Sequence, residues 1–141
     1  DFPEKVSGLL LLASTPCFVA KDNWQGVSVD YANDFYRAVA ADHTKALKQF
    51  LLFSLVQREQ QKRYVNELWQ HFFTTTMPQQ HSLLTGLQLL NNTDLRRAIN
   101  AIDCPMMFCH GDLDPLTFHN DLQALYYFPV YQIKGYPLNY K

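Results

Sequence analysis

The chain has 141 residues, of which 48% are hydrophobic, 14% aromatic and only 18% charged. That is enough apolar material for one modest core, and it excludes a disordered, charge-rich polymer. A net charge of -1 excludes a general pull toward nucleic acid or anionic membrane.

No apolar run nears the roughly 20 residues that span a bilayer. Cys17, Cys104 and Cys109 lack metal-ligand spacing, so free thiols in a reducing, cytoplasmic setting are the expectation. The sequence opens at Asp1 in a loop, Phe2-Pro3-Glu4-Lys5, that runs straight into an apolar stretch. We therefore expect a piece of a larger domain, and a leader ahead of Asp1 is left open.

Val6 to Ala13 is almost continuously apolar, the pattern of a parallel-sheet strand covered on both faces. Ser14-Thr15-Pro16 ends it, and residues 17–27 read as irregular. Asp30 is the expected cap of a helix to about Ala41, with Tyr31, Phe35 and Val39 on one stripe. Asp42 is the expected cap of the next, where Ala46, Leu47, Phe50 and Leu51 recur at helical spacing. A third helix is expected from Glu59 to Thr75 and a fourth from Pro78 to about Leu90, the proline suiting a first turn. Thr93 or Asp94 opens a short helix to Ile102, followed by a strand at 105–109, a helix from Leu116 to Tyr126 and a last strand from Val130 to Ile133.

The strand at 105–109 ends in His110-Gly111-Asp112-Leu113-Asp114-Pro115. An apolar run that stops in a turn of carboxylates presents them at the carboxyl edge of a sheet, where open α/β sheets place their chemistry. Asp114, and after it Asp112, are candidate acids, and each could equally be a cap or turn residue. His110 and His119 flank them, but one follows a buried strand and the other lies a helical turn beyond. His43, His71 and His81 are scattered without a second ligand at metal-site spacing, so no metal and no cofactor are expected. Phe18, Trp24, Phe35, Phe50 and Phe53 are either the helices' own core or the wall of an apolar channel. Between Arg37 and Arg63 the chain carries six basic residues (Arg37, Lys45, Lys48, Arg58, Lys62, Arg63) against two acids, Asp42 and Glu59. That cluster is either a solvated face or a docking surface.

Several segments resemble the carboxy-terminal half of the α/β-hydrolases. They are Phe2-Pro3-Glu4-Lys5-Val6, Ala13-Ser14-Thr15-Pro16-Cys17-Phe18 with Trp24 and Gly26, Met77-Pro78, Gly86-Leu87-Gln88-Leu89-Leu90, Thr93-Asp94-Leu95-Arg96 and Gly111-Asp112-Leu113-Asp114. Within that superfamily they are similar to carboxylesterases of biotin biosynthesis that cleave the methyl ester of a carrier-bound acyl chain. The resemblance reaches to about residue 125. It implies a partial α/β-hydrolase fold, in which parallel strands carry an inserted α-helical lid. The implied parts are a core strand and connection at 1–16, the lid at 17–92 and the remaining core at 93–141.

It further implies a Ser-His-Asp triad with Asp114 as its acid, an acyl channel at Phe18, Trp24, Phe35, Phe50, Phe53 and Leu116, and docking of an acyl carrier protein on Lys45, Lys48, Arg58, Lys62 and Arg63. The parent enzyme would be a monomer, with no nucleic-acid or membrane partner. Two departures stand out. No Gly-x-Ser-x-Gly elbow occurs in the 141 residues, and Lys134-Gly135-Tyr136-Pro137-Leu138-Asn139-Tyr140-Lys141 offers no histidine. The rival readings are a hydrolase of another small ester or lactone, and a non-catalytic helical interaction module.

Overall fold

Three short apolar runs pair in parallel: β1 (Leu9–Leu12), β2 (Met106–Gly111) and β3 (Val130–Ile133), with β2 in the middle. The computed structural model describes residues 2–54, 61–73, 77–111, 114–117 and 130–133. The register sets Leu9 opposite Met106 and Leu12 opposite Cys109, and then Phe108 opposite Val130 and Gly111 opposite Ile133. The chain divides into two compact units, one of residues 1–27 with 93–141 and one of residues 28–92. The first boundary thus falls at Val27/Ser28 rather than at residue 16, because residues 17–27 fold with the sheet.

In the sheet unit β2 alternates as a half-buried strand must. Met106, Phe108 and His110 point inward, while Met107 is exposed. Met106 and Phe108 pack with Cys17, Trp24 and Ile99, and Leu9, Leu11 and Ile102 close around them. Full burial of a side chain of this size contributes about 2 kcal/mol. The opposite face was expected to be covered as well. Among the described residues it is not: Leu10 and Leu12 are each 59% exposed. The strand is also shorter than Val6–Ala13. It begins where a partner begins, at Met106, and stops at Ala13, whose φ of 44° turns the backbone left-handed.

Residues 17–27 fold back on themselves. Phe18 O accepts from Val27 N–H at 2.8 Å, Ala20 N–H donates to Val27 O at 2.8 Å, and the Trp24 indole N–H donates to Cys17 O at 2.7 Å. Asn23 takes the left-handed turn position (φ 58°), which asparagine tolerates. The loop is stapled to the segment after the helical unit. Leu95 N–H donates to Pro16 O at 2.7 Å, and Asp94 accepts from Arg96 and Lys21. The Arg96 guanidinium, with Lys21 beside it, holds the Asp94 carboxyl well below the usual carboxylate range. The helix expected at 95–102 is reduced to a single turn, closed by Ile99 N–H to Leu95 O, and a 3-10 turn at Ile99–Ala101.

The helical unit holds α1 (Val29–Ser54), α2 (Gln61–Phe73) and α3 (Gln80–Asn92). α1 is two helices joined at Asp42, whose backbone is extended (φ -155°, ψ 91°) and whose carboxylate accepts from Lys45 N–H at 3.0 Å. The expected cap is therefore in place, and the two arms double back. Tyr31 meets Phe53 at 5.6 Å between ring centroids, and Phe35 meets Phe50 at 5.5 Å. The last carbonyls of the first arm, Val39 and Ala40, are satisfied by the Gln80 amide of α3 at 2.9 and 2.8 Å, as a helix end requires. One expected cap is corrected. Ser28, not Asp30, accepts from Tyr31 N–H and opens the first arm, leaving Asp30 in the first turn where its charge favours the helix dipole.

Gly26 is held by close approach rather than by its dihedrals: a Cβ there would lie 2.6–2.7 Å from backbone atoms of Phe18, Val19 and Ala20. Gly26→Ala should cost about 1–3 kcal/mol, read as a lower urea midpoint with an unchanged slope; an unaltered midpoint would show that the loop yields without cost. The open sheet face should make the chain self-associate, and Leu10→Ser with Leu12→Ser should shift sedimentation toward monomer.

Candidate active site

Inward residues of β2 lead to a polar end. After Phe108 the next inward position is His110, only 1% exposed and stacked on Phe108 at 6.3 Å. β2 ends at Gly111, whose carbonyl accepts from Asp114 N–H at 3.2 Å. Asp114 is half-buried, and its carboxylate is held by its own turn. Oδ1 accepts from Leu116 N–H at 2.8 Å and Thr117 N–H at 3.2 Å, while Oδ2 accepts from the Thr117 hydroxyl at 2.7 Å.

A carboxylate has about four acceptor positions. Three are filled from within the turn, which fixes both oxygens and leaves one position on Oδ2 among the described residues. A charged group so anchored can orient a donor without itself moving, and that is what an acid of a hydrolytic triad must do. The capping reading and the catalytic reading of Asp114 are therefore compatible, because different lone pairs serve them.

Other candidates fall in different places. Asp112, His119 and Arg58 lie outside the described residues. His110 is not a loop histidine as its position after an apolar run suggested, but a strand residue with Nδ1 3.1 Å from Thr117 Oγ1. Trp24 is a core residue, 5% exposed, with Arg96 over its ring. Phe18 is half-buried in the sheet unit, and Leu116 is half-buried beside Asp114. Phe35, Phe50 and Phe53, with Tyr31, form one aromatic file along the helical hairpin. Burial pushes the Tyr31 hydroxyl up from its usual value.

The basic cluster is thinner than its count. Arg37 pairs with Asp34, Arg63 pairs with Glu67 at 2.8 Å, and Lys48 sits over the Trp69 ring at 4.5 Å. Lys45 and Lys62 are exposed, with no carboxylate in ion-pair reach among the described residues. Among the described residues no group of three metal-ligating side chains occurs and no helix is long and apolar enough to cross a membrane. Sequence reasoning missed Thr117 and Gln80. Thr117 was signalled by its place three residues after a capping Asp, whereas Gln80 carries no local signal.

No family model matches the chain. Its sequence is similar to the pimeloyl-[acyl-carrier protein] methyl ester esterase of Aliivibrio fischeri, 32% identical over 115 residues that make up 82% of this chain and 45% of that protein. It is 34% identical over 116 residues to the enzyme of the same name from Nitrosomonas europaea, covering 82% of this chain and 46% of that one. The chain thus spans under half the length of these relatives. An esterase from Exiguobacterium antarcticum shares the fold, with a TM-score of 0.72 at 20% identity over 92% of this chain and 48% of that structure.

Proposed function

The chain belongs to the α/β-hydrolase superfamily and forms part of that fold, and on that premise we propose that it supplies the acid of a Ser-His-Asp carboxylesterase whose substrate is the methyl ester of a carrier-bound acyl chain. Asp114 carries the reading. It stands at the carboxyl end of the middle strand of a parallel sheet, anchored by three donors and, among the described residues, with one position left for an imidazole N–H.

The serine and the histidine belong to polypeptide outside these 141 residues. The serine hydroxyl attacks the ester carbonyl and the histidine takes its proton. The same proton then leaves with methanol, and water releases the acid by the reverse relay. Asp114 holds the histidine in the tautomer that accepts the serine proton and stabilises the imidazolium that results. The aromatic file of Phe35, Phe50 and Phe53 suits an acyl chain, with Phe18 and Leu116 as further apolar contacts. Lys45 and Lys62 are the cations available to an acidic carrier protein, together with Lys48, Arg58 and Arg63 as weaker or unassigned members of the same set.

The chain by itself should give no turnover of p-nitrophenyl esters. A chimera tests the triad: the segments of the A. fischeri relative that lie before and after the matched region are joined to either end of this chain. Asp114→Asn in that chimera should lower kcat by about 10⁴, and an unchanged kcat would remove Asp114 from the triad. Docking is tested on the chain alone. Holo acyl carrier protein should bind with an affinity that falls as salt rises. Lys45→Glu with Lys62→Glu should weaken it about tenfold, two exposed charge contacts of up to ~1 kcal/mol each being lost. Binding that ignores both salt and the two reversals would leave those lysines a solvated face.

A further inference from the structure

A second polar pair lies behind Asp114 that the ester chemistry does not call for. His110 is buried at the inward end of β2, its Nδ1 3.1 Å from Thr117 Oγ1, and that oxygen is 2.7 Å from Asp114 Oδ2. Both Thr117 and His110 are more than nine-tenths buried, so the pair sits in a low-dielectric setting where such bonds are strong and their direction matters.

Counting hydrogens fixes that direction. An ionised carboxylate only accepts, so the single hydroxyl hydrogen of Thr117 points at Asp114. Thr117 Oγ1 then has only lone pairs to offer His110, and Nδ1 must carry the hydrogen between them. We infer that His110 and Thr117 are positioning residues for the acid: the His110 Nδ1–H donates to Thr117, the Thr117 hydroxyl donates to Asp114 Oδ2, and the carboxylate is pinned with its remaining lone pair outward. The functional meaning rests on Asp114 being the triad acid, whereas the direction of the relay does not.

The relay has a consequence that simple packing lacks. Changing the charge at residue 114 should reverse the tautomer of His110 through Thr117. In Asp114→Asn the two backbone N–H groups at Leu116 and Thr117 retain the amide oxygen, so the NH₂ faces Thr117. Thr117 then accepts from the amide and donates to His110, whose Nδ1 must become an acceptor. His110 would pass from the Nδ1–H to the Nε2–H form.

Multiple-bond ¹H–¹⁵N spectra of the 141-residue chain, labelled at histidine, read this directly. The expected result is the Nδ1–H pattern for His110 in the unaltered chain and in Thr117→Ser, and the Nε2–H pattern in Asp114→Asn. An Nε2–H pattern in the unaltered chain, or a pattern indifferent to Asp114→Asn, overturns the relay. Activity in the chimera gives the second reading. Thr117→Val should lower kcat roughly 10–100-fold, the scale at which partners that orient a working side chain act, with KM unchanged and Thr117→Ser restoring it. Full kcat in Thr117→Val, alongside loss in Asp114→Asn, would end the positioning role and keep the acid. Full kcat in Asp114→Asn would end the acid assignment while the tautomer result stood on its own.

Discussion

Parallel pairing of β1 with β2 is the constraint from which the rest follows. It sets Leu9 beside Met106 and Leu12 beside Cys109, segments that lie almost a hundred residues apart in sequence. Closing such a loop costs chain entropy that grows slowly with length, and the fold limits that cost by shortening the loop in stages. Residues 17–27 and 94–99 form a stem, held by Leu95 N–H to Pro16 O, the Cys17–Asp94 bridge and the Asp94 ion pairs with Lys21 and Arg96. Within the stem, Trp24 and Cys17 join Phe108 and Met106 in one core. Residues 28–92 form a compact unit of their own between the two ends that this stem gathers.

The same pairing fixes where the proposed acid lies. Parallel strands end at one edge, so the left-handed turn at Ala13 and the acid turn after Gly111 occupy the same side of the sheet. Ala13 N–H donates to Cys109 O at 2.9 Å, carrying the ladder one residue past β1 before the backbone turns away. An exposed alanine at φ 44° is uncommon and costs local strain. The pairing that continues beneath it holds it there.

Much of this was legible in the residues because the signals were local. The apolar runs at Val6–Ala13 and 105–109 each name a strand, and the recurrence of Tyr31, Phe35 and Val39, and of Ala46, Leu47, Phe50 and Leu51, names the two arms of α1. Asp42 was legible as a cap because its side chain serves its own neighbour, Lys45. What was not legible depended on partners far away in sequence. The irregular look of residues 17–27 hid a core loop, because its order comes from close backbone approach at Gly26 and from Trp24 reaching Cys17. Ser28 displaced Asp30 as cap because either residue type suits the position, and only the entry angle of the chain decides between them. The basic cluster was legible as a count but not as a field. Asp34 and Glu67 lie just outside the window that was counted, and they neutralise two of its members.

Asp114 meets the geometric demands of a capping aspartate, and under the proposed function the same geometry would serve a triad acid. A capping aspartate needs one oxygen turned toward the backbone N–H groups two and three residues on, and Oδ1 does this. A triad acid needs a fixed oxygen with a lone pair to spare, and Oδ2 is fixed by Thr117. The cap makes the acid rigid, since the bonds that order the turn also forbid rotation of the carboxylate. Preorganisation of this kind is where active sites gain over solution chemistry, because no reordering remains to be done when the reaction begins. The constraint continues one residue deeper. Thr117 Oγ1, which holds Oδ2, also lies 3.1 Å from Nδ1 of His110, an inward residue of β2. The alternation that buries Met106 and Phe108 thus also decides which side chain stands behind the acid, joining the packing of the core to the orientation of the site.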